Sequence, residues 1–158
     1  MHTKEQIDEL RLKRRYGIGR MLLLARKDFV ARLHAAMGDQ LKDLPPAAGG
    51  MLPYIDLEGT RGTELARRMG VSKQAAGKAV RDLEQSGLVT RVQDLSDARA
   101  FKVQFSSKGL EYMMRLHEAI DGIEADYAKL LGTEKAQTLR EALCEMSYHN
   151  PLPDNVSR

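Results

Sequence analysis

Residues 63–105 read TELARRMGVSKQAAGKAVRDLEQSGLVTRVQDLSDARAFKVQF and decide the predicted fold. The stretch predicts two short helices separated by a turn at Gly70, then a β-hairpin with Asp97-Ala98-Arg99 at its tip. Ser72 is placed to cap the second helix, because its side-chain oxygen can accept from the free amides of the first turn. This order is typical of a winged helix-turn-helix, whose second helix fits the DNA major groove while the hairpin reaches a neighbouring groove.

Local signals indicate where these elements begin and end. Thr60 or Thr63 is predicted to cap the first helix, and Gly87 is predicted to end the second. A strand is then expected over Leu88–Val92, followed by a turn over 93–98. The next strand shows the period-two alternation of a half-buried strand, carried by Phe101, Lys102, Val103, Gln104 and Phe105.

Long helices are predicted on both sides of this motif. Apolar side chains recur through residues 3–37 at the spacing of one long helix, although Gly17 and Gly19 weaken its middle. Residues 45–57 suit a short, bent helix, since glycines and a proline interrupt them. Ser106 is predicted to cap a second long helix, which a break at Gly132-Thr133 separates from a last one. The predicted fold class is mainly α, with a small β-hairpin wing.

These elements divide the chain, as one structural domain, into four predicted segments. A long helix that is apolar over much of its surface needs more partner surface than one small subunit offers, so the terminal helices are expected to form a dimer. The segments are an N-terminal dimerisation helix, a winged helix-turn-helix, C-terminal dimerisation helices and a flexible tail: residues 1–44, 45–107, 108–149 and 150–158.

Composition restricts the class of protein. The 158 residues are 42% hydrophobic and 30% charged, as expected for a soluble globular protein. No apolar run approaches the roughly 20 residues of a membrane span. The polar N-terminus lacks the apolar core of a signal peptide, and the single cysteine suits a reducing compartment. We therefore expect a cytoplasmic protein with no membrane association.

Positive charge is concentrated in the winged-helix segment. The whole chain has a formal net charge of +3, but residues 60–108 hold ten Lys and Arg against five Asp and Glu. Residues 109–158 hold five against nine. A basic middle segment is expected of a protein that binds a polyanion, although an ordinary solvated charged surface is the alternative.

The polar face of the second motif helix carries most of the predicted DNA contacts. Its apolar stripe must face the protein, and the helix start and opposite side present Ser72, Lys73, Gln74, Ala75, Gly77, Lys78 and Arg81. Gln74 can form a paired hydrogen bond with adenine, while Arg81 or Lys78 can contact guanine or phosphate. Ala75 offers a methyl group to thymine, and the small Gly77 lets the helix sit deep in the groove. The alternative is an amphipathic helix whose polar face meets only water.

The predicted hairpin tip carries one cation and one acid. Arg99 is predicted to enter the minor groove, where an A·T-rich tract deepens the negative potential. Asp97 cannot favour DNA, so it is interpreted as a structural acceptor that holds the turn and helps to orient Arg99. The alternative is an exposed Asp/Arg pair worth at most about 1 kcal/mol to stability.

The segment Asp97-x-Arg99-x-x-x-Val103-x-Phe105-Ser106-x-x-Gly109 resembles the wing signature of the multiple-antibiotic-resistance regulator (MarR) family. That signature has Leu and Thr where this chain has Phe105 and Ser106. The upstream segments Glu64-Leu65-Ala66, Gly70-Val71-Ser72 and Leu83-Glu84-x-x-Gly87-Leu88-Val89 are also similar to the family. Gly77 stands where Ser is frequent, so the resemblance does not extend to an operator sequence.

The resemblance implies a homodimeric transcription factor, usually a repressor, with interlocked terminal helices. A twofold dimer would present two recognition helices about one duplex turn apart, which implies a palindromic site in double-stranded DNA. Ligands of such proteins often bind between the dimerisation helices and the DNA-binding lobe. On this basis a pocket for an aromatic or acidic effector is expected, although core aromatics are the alternative, at Tyr16, Arg20, Tyr54 and Tyr112.

Other chemistry finds little support in the sequence. The four histidines lack metal-ligand spacing, so neither a metal nor a cofactor is predicted. Cys144 could act as a redox switch, but a small residue on an interface helix is the simpler interpretation. An enzyme is not expected, since no nucleophile–base pair or phosphate loop is present. The alternative function is a winged-helix protein-interaction module, against which the cations Lys73, Lys78, Arg81 and Arg99 favour DNA.

Overall fold

The structure, a computed structural model, describes residues 2–42 and 44–153, with the side chain of Ala98 left out. Its helices are α1 (Lys4–Tyr16), α2 (Ile18–Met37), α3 (Ala48–Met51), α4 (Gly62–Met69), α5 (Lys73–Gln85), α6 (Ser107–Leu131) and α7 (Thr133–Tyr148). Short 3₁₀ helices span Gly38–Leu41 and Leu52–Tyr54. The strands are β1 (Thr60–Arg61), β2 (Val89–Asp94) and β3 (Asp97–Phe105). The predicted fold class, mainly α with a small β wing, is confirmed.

The chain forms two compact units. The helical unit takes its described residues from 1–36 and 119–158, and the winged-helix unit from 37–118. The last part of the predicted tail, Asp154–Arg158, lies outside the described residues. No helix in the described ranges is both long and apolar enough to cross a membrane.

The helical unit corrects the prediction of one unbroken helix over 3–37. The chain is extended at Gly17 (φ −64°, ψ 145°), which ends α1 before α2 begins at Ile18. A Cβ atom at Gly17 would lie 2.6 Å from the carbonyl oxygen of Lys13, so this break requires glycine. The predicted break between the last two helices is confirmed at Gly132, which has φ 85°.

Polar contacts connect the helices of this unit. The Tyr127 hydroxyl on α6 donates to Asp28 Oδ2 on α2 (2.9 Å), and the same oxygen accepts from Arg32 Nε (2.8 Å). These bonds, with Arg32 contributing more than Tyr127, lower the pKa of Asp28. Arg140 on α7 pairs with Glu124 on α6. The unit nevertheless leaves many large apolar side chains exposed, among them Ile7, Leu10, Leu12, Ile18, Leu23, Leu130 and Leu139.

The winged-helix unit has a closed apolar core. The side chains of Met51, Leu65, Leu83 and Val103 are fully buried in it. As predicted, α5 turns its apolar stripe inward, burying Ala76, Ala79, Val80 and Leu83. The predicted short, bent helix over 45–57 is present as α3 and the 3₁₀ helix that follows it. The core therefore fixes which side of α5 faces solvent.

Helix caps in this unit follow the prediction at all but one position. Gly70 adopts the left-handed conformation (φ 65°) that the turn between α4 and α5 requires. Ser72 caps α5, and Ser106 Oγ accepts from the Gly109 amide (3.0 Å) at the start of α6. A cap by Thr60 or Thr63 was wrong, because Arg61 precedes α4 and its side chain makes no cap bond. Thr60 instead lies in β1.

The sheet has three antiparallel strands in the order β1-β3-β2. Its register pairs Thr60 with Val103 and Val92 with Lys102. The predicted strand over 88–92 ends too early and the turn over 93–98 is too long: β2 continues to Asp94, which pairs with Asp97. Strand β1 was not predicted, since two residues are too few for a periodic pattern.

Candidate nucleic-acid interface

Exposure divides α5 into the two faces that its sequence predicts. The side chains of Lys73, Gln74, Lys78 and Arg81 face solvent, opposite the buried stripe. Ser72 Oγ accepts from the Ala75 amide (3.1 Å) and so fixes the first turn, from which several of these side chains project. The polar face therefore starts at a capped helix end.

Two adjoining depressions border this face. The first, here called the outer α5 surface, has a volume of about 320 Å³ and is lined by Ser72, Gln74, Ala75, Lys78 and Arg81. The second, here called the helix–wing groove, has about 550 Å³ and lies between α5, the start of α4 and the wing. Its charged lining is Arg61, Lys73, Arg81, Arg91, Asp97 and Arg99. Of these residues, Arg81 borders both depressions.

The cations of these surfaces differ in whether an acid already neutralises them. Arg91 pairs with Glu84 (3.0 Å) and lies over the Phe101 ring, 4.9 Å from its centroid. Lys78 pairs with Asp82 (2.8 Å) along α5. By contrast, among the cations that line these two depressions, the side chains of Lys73, Arg81 and Arg99 make neither an ion pair nor a hydrogen bond with another described residue. Uncompensated positive charge therefore lies along the helix–wing groove.

The wing tip is held by two aspartates of different kinds. Asp97 is exposed, and its Oδ1 accepts from the Arg99 amide (3.0 Å). Asp94 is only 3% exposed. Its Oδ1 accepts from the Ser96 amide (2.9 Å) and hydroxyl (2.7 Å), and its Oδ2 accepts from Arg61 Nε (2.5 Å). These bonds, those from Ser96 above all, hold the pKa of Asp94 far below its usual range.

Sequence reasoning missed both Asp94 and Arg61. Asp94 fell in a segment interpreted as open turn, and Arg61 in a segment to which no strand was assigned. A local signal was present, because Asp-x-Ser can form a turn in which the Asp side chain accepts from the amide two residues later. The partner across the sheet, Arg61, has no such local signal.

A network of charged side chains anchors α4, the helix that precedes α5 in the chain. Glu64 accepts from Arg67 (2.6 Å) and Arg68 (2.8 Å), and these bonds, Arg67 first, lower its pKa to about 2. Arg68 also donates to Asp56 Oδ1 (2.9 Å) and to the carbonyl of Tyr54 (3.0 Å). The loop before β1 is thereby tied to α4.

The residues predicted to line an effector pocket stand in both units. In the helical unit, Tyr16 ends α1 beneath the Arg15 guanidinium (5.3 Å to the ring centroid), and Arg20 is exposed on α2. In the winged-helix unit, Tyr54 is exposed, and Tyr112 packs against the core, where burial raises its pKa. A pocket formed by these four residues stays a prediction.

The sequence also offers histidines and one cysteine as candidate metal and redox residues. No group of three or more His, Cys, Asp and Glu side chains in the described residues could hold a metal ion. Cys144 is half-buried on α7, and its Sγ lies 3.7 Å from the carbonyl oxygen of Asn150.

Comparison with known protein families supports a DNA-binding role for the unit that carries this interface. Residues 42–100, from before α3 to the second strand of the wing, match the sequence model of the MarR family. The winged-helix region is similar to the MarR family over these residues. It is therefore the DNA-binding winged helix of a transcriptional regulator, as the sequence resemblance implied.

The structure explains why the MarR wing signature ends in a glycine. A Cβ atom at Gly109 would lie 1.9 Å from the carbonyl oxygen of Leu88 and 3.3 Å from the Phe105 ring. Ser106 closes the same corner, since its hydroxyl donates to the Gly87 carbonyl (2.5 Å) while accepting from the Gly109 amide. Phe105 and Ser106, at the two signature positions where this chain departs, thus both contact Gly109 at the corner where α6 packs against β2.

Solved structures share this MarR-type fold over most of the chain. The transcriptional regulator Tm0710 from Thermotoga maritima is 26% identical, with a TM-score of 0.59 over 81% of this chain and 89% of its own. The transcriptional repressor CouR, bound to a 23-mer DNA duplex, is 22% identical, with a TM-score of 0.64 over 82% and 92%. S. aureus MepR, bound to ethidium bromide, is 16% identical, with a TM-score of 0.59 over 84% and 95%. The last two likenesses show the fold alone, and no curated protein matches the chain.

Proposed function

We propose that the chain is a homodimeric, sequence-specific repressor of transcription that a small molecule releases from a palindromic DNA operator. The observation that carries the proposal is the run of uncompensated cations along the helix–wing groove: Lys73, Arg81 and Arg99. A phosphate backbone is attracted to cations that no protein acid neutralises. The exposed Gln74 amide lies on the same helix, where it can meet base edges.

The two depressions suit two kinds of DNA contact. The outer α5 surface offers an amide at Gln74, a methyl group at Ala75 and a guanidinium at Arg81, which match adenine, thymine and guanine edges in the major groove. The helix–wing groove is cationic and suits the phosphates between the major groove and the minor groove that Arg99 would enter. Lys78 can exchange Asp82 for a phosphate, because such an exposed ion pair is worth at most about 1 kcal/mol.

Homodimerisation is supported by the apolar surface of the helical unit. Leu12, Ile18 and Leu130 are each more than 60% exposed, and Leu139 on α7 is 46% exposed. Exposed apolar side chains in such number are expected where another protein surface covers them. A twofold pair would carry two α5 helices spaced for successive turns of a duplex, about 34–36 Å apart, and would read a palindrome.

Repression and release by a ligand are supported by the solved relatives. CouR is a repressor that binds a DNA duplex, and MepR binds the planar aromatic cation ethidium. We propose an aromatic or acidic effector for this chain, bound through Tyr16, Arg20, Tyr54 and Tyr112. A cytoplasmic location, where DNA and effector are both accessible, belongs to the same proposal.

The function is tested by selecting duplexes from a random-sequence library with the full chain. We expect a palindrome, bound by a species that sediments as a dimer, whose affinity falls by about a thousandfold between roughly 50 and 200 mM salt. Lys73→Ala should weaken binding and reduce the salt dependence. Lys129→Ala, which removes an exposed cation from α6 in the helical unit, is the matched control and should do neither.

Three results would contradict the proposal. Selection that returns no sequence, or binding that salt leaves unchanged, would favour the protein-interaction module instead. A protein that sediments as a monomer on its selected duplex would contradict both the homodimer and the palindromic operator.

A further inference from the structure

We infer that Asp94 and Arg61 are positioning residues for Arg99: they lock the tip of the wing to the body of the winged-helix unit. The inference rests on the proposed function, in which Arg99 contacts DNA. It assigns neither Asp94 nor Arg61 a contact with DNA of its own. Their role is to determine where the Arg99 side chain stands before DNA arrives.

The strongest indication is that the Asp94 carboxylate is buried and that its hydrogen-bonding capacity is taken up within the protein. The residue is 3% exposed although it lies next to the hairpin turn, where side chains are usually solvated. Both of its oxygens accept: Oδ1 from the amide and hydroxyl of Ser96, and Oδ2 from Arg61 Nε. Arg61 Nη2 also donates to Ser96 Oγ (3.1 Å), which closes the network among the three side chains. A buried carboxylate with this many charge-assisted bonds has one geometry available to it.

Arg61 provides the tie because of where β1 ends. Strand β1 pairs with β3 only at Val103 and Lys102, so the hairpin beyond that point is two-stranded. An isolated two-stranded hairpin is marginally stable in water. The Arg61 side chain starts on one edge of the sheet, spans the middle strand and holds Asp94 on the other edge. It therefore fastens the projecting part of the wing to the start of α4.

The constraint passes from Asp94 to Arg99 in two short steps. Asp94 and Asp97 are paired across the turn, immediately after an irregularity in the register at Gln93/Asp94. Asp97 Oδ1 then accepts from the Arg99 amide (3.0 Å). Arg61 also neutralises Asp94, so the wing does not direct a second uncompensated acid toward the polyanion. Loss of Arg61 would thus both loosen Arg99 and raise repulsion at the tip, whereas loss of the Asp94 carboxylate would loosen Arg99 alone.

A double-mutant cycle on the full chain tests this role. The probe is the palindromic duplex selected as above, with affinity measured at one fixed salt concentration for Asp94→Asn, Arg99→Ala and the double variant. We expect each single change to weaken binding by about tenfold. The double variant should match Arg99→Ala within about twofold, because Asp94 has nothing left to position. Amide hydrogen exchange in the free protein should be faster at residues 95–99 in Asp94→Asn and unchanged in α5.

The matched control is Asp56→Asn. Asp56 also accepts from an arginine and a hydroxyl, those of Arg68 (2.9 Å) and Thr60 (3.1 Å), but outside the wing. The Asp56→Asn substitution should lower the melting temperature and leave the affinity for the duplex within about twofold of that of the unchanged protein. If Asp94→Asn does not fold, Ser96→Ala takes its place, since it removes one donor from the same carboxylate.

Three outcomes would overturn the inference while the proposed function stands. They are an Asp94→Asn protein that binds as tightly as the unchanged chain, losses that multiply in the double variant, and exchange at the wing that does not change. Failure of the proposed function is recognised separately, because then the unchanged chain itself selects no duplex.

Discussion

Gly77 lies in the interior of α5, where it makes a poorer helix than alanine would. A Cβ atom there would meet only Arg81 Nη1, at 3.7 Å, which is an ordinary contact. Its φ is not positive, so alanine fits the backbone without strain. Gly77→Ala should therefore raise the free energy of unfolding by about 0.5–1 kcal/mol. In a chain of this length that corresponds to a melting temperature higher by roughly 2–4 °C.

The same methyl group should weaken DNA binding. Gly77 lines the helix–wing groove, where the backbone of α5 is bare. If DNA approaches this backbone closely, an added carbon overpacks the contact at a cost of about 1–3 kcal/mol, or roughly tenfold or more in affinity. The free energy of unfolding and the affinity for DNA should thus move in opposite directions.

Calorimetry and fluorescence anisotropy on the selected duplex measure the two effects. Gly122→Ala is the matched control, because Gly122 lies inside α6 with open space around it and should gain stability without losing affinity. A lower melting temperature for Gly77→Ala would refute the described packing of α5. A higher melting temperature with unchanged affinity would show that DNA does not approach Gly77.

Three further predictions concern stability and recognition. The pKa of Glu64 is lowered from 4.5 to about 2 in the fold. Its contribution to stability is therefore present above pH 4.5 and is lost as the pH falls toward 2. Urea titrations of Glu64→Gln should show a free energy of unfolding that falls less steeply with decreasing pH over this range. Ser72→Ala should cost about 1 kcal/mol of unfolding free energy, since the Ala75 amide loses its acceptor, and an undiminished urea midpoint would contradict the cap. Arg81→Ala should relax preference at one base pair per half-site or reduce the salt slope by about one; binding that keeps both would remove Arg81 from the interface.

The sequence predicted those parts of the fold that have short-range causes. Gly70, Ser72 and Ser106 act within one helical turn, and their roles appear as expected. The apolar stripe of α5 was also predictable, because burial repeats with the helical period. From that stripe alone it follows that Lys73, Gln74 and Arg81 are exposed.

Features with long-range causes could not be predicted in this way. Strand β1 exists because Thr60 and Arg61 pair with residues more than 40 positions later, and two residues carry no periodicity. The helix break at Gly17 depends on how close a Cβ atom would come to the Lys13 carbonyl, which a tally of helix propensity does not reveal. The Arg61–Asp94 contact joins residues 33 positions apart, so the wing's main anchor was missed while the exposed Asp97 was noticed.

The shared position of Arg81 restricts how such a regulator can acquire a new target site. Because Arg81 borders both the outer α5 surface and the helix–wing groove, we expect its substitution to alter base preference and overall affinity together. Gln74 and Ala75 border only the first of the two. Divergence of operators among descendants of this chain should therefore proceed through positions 74 and 75, with position 81 held constant.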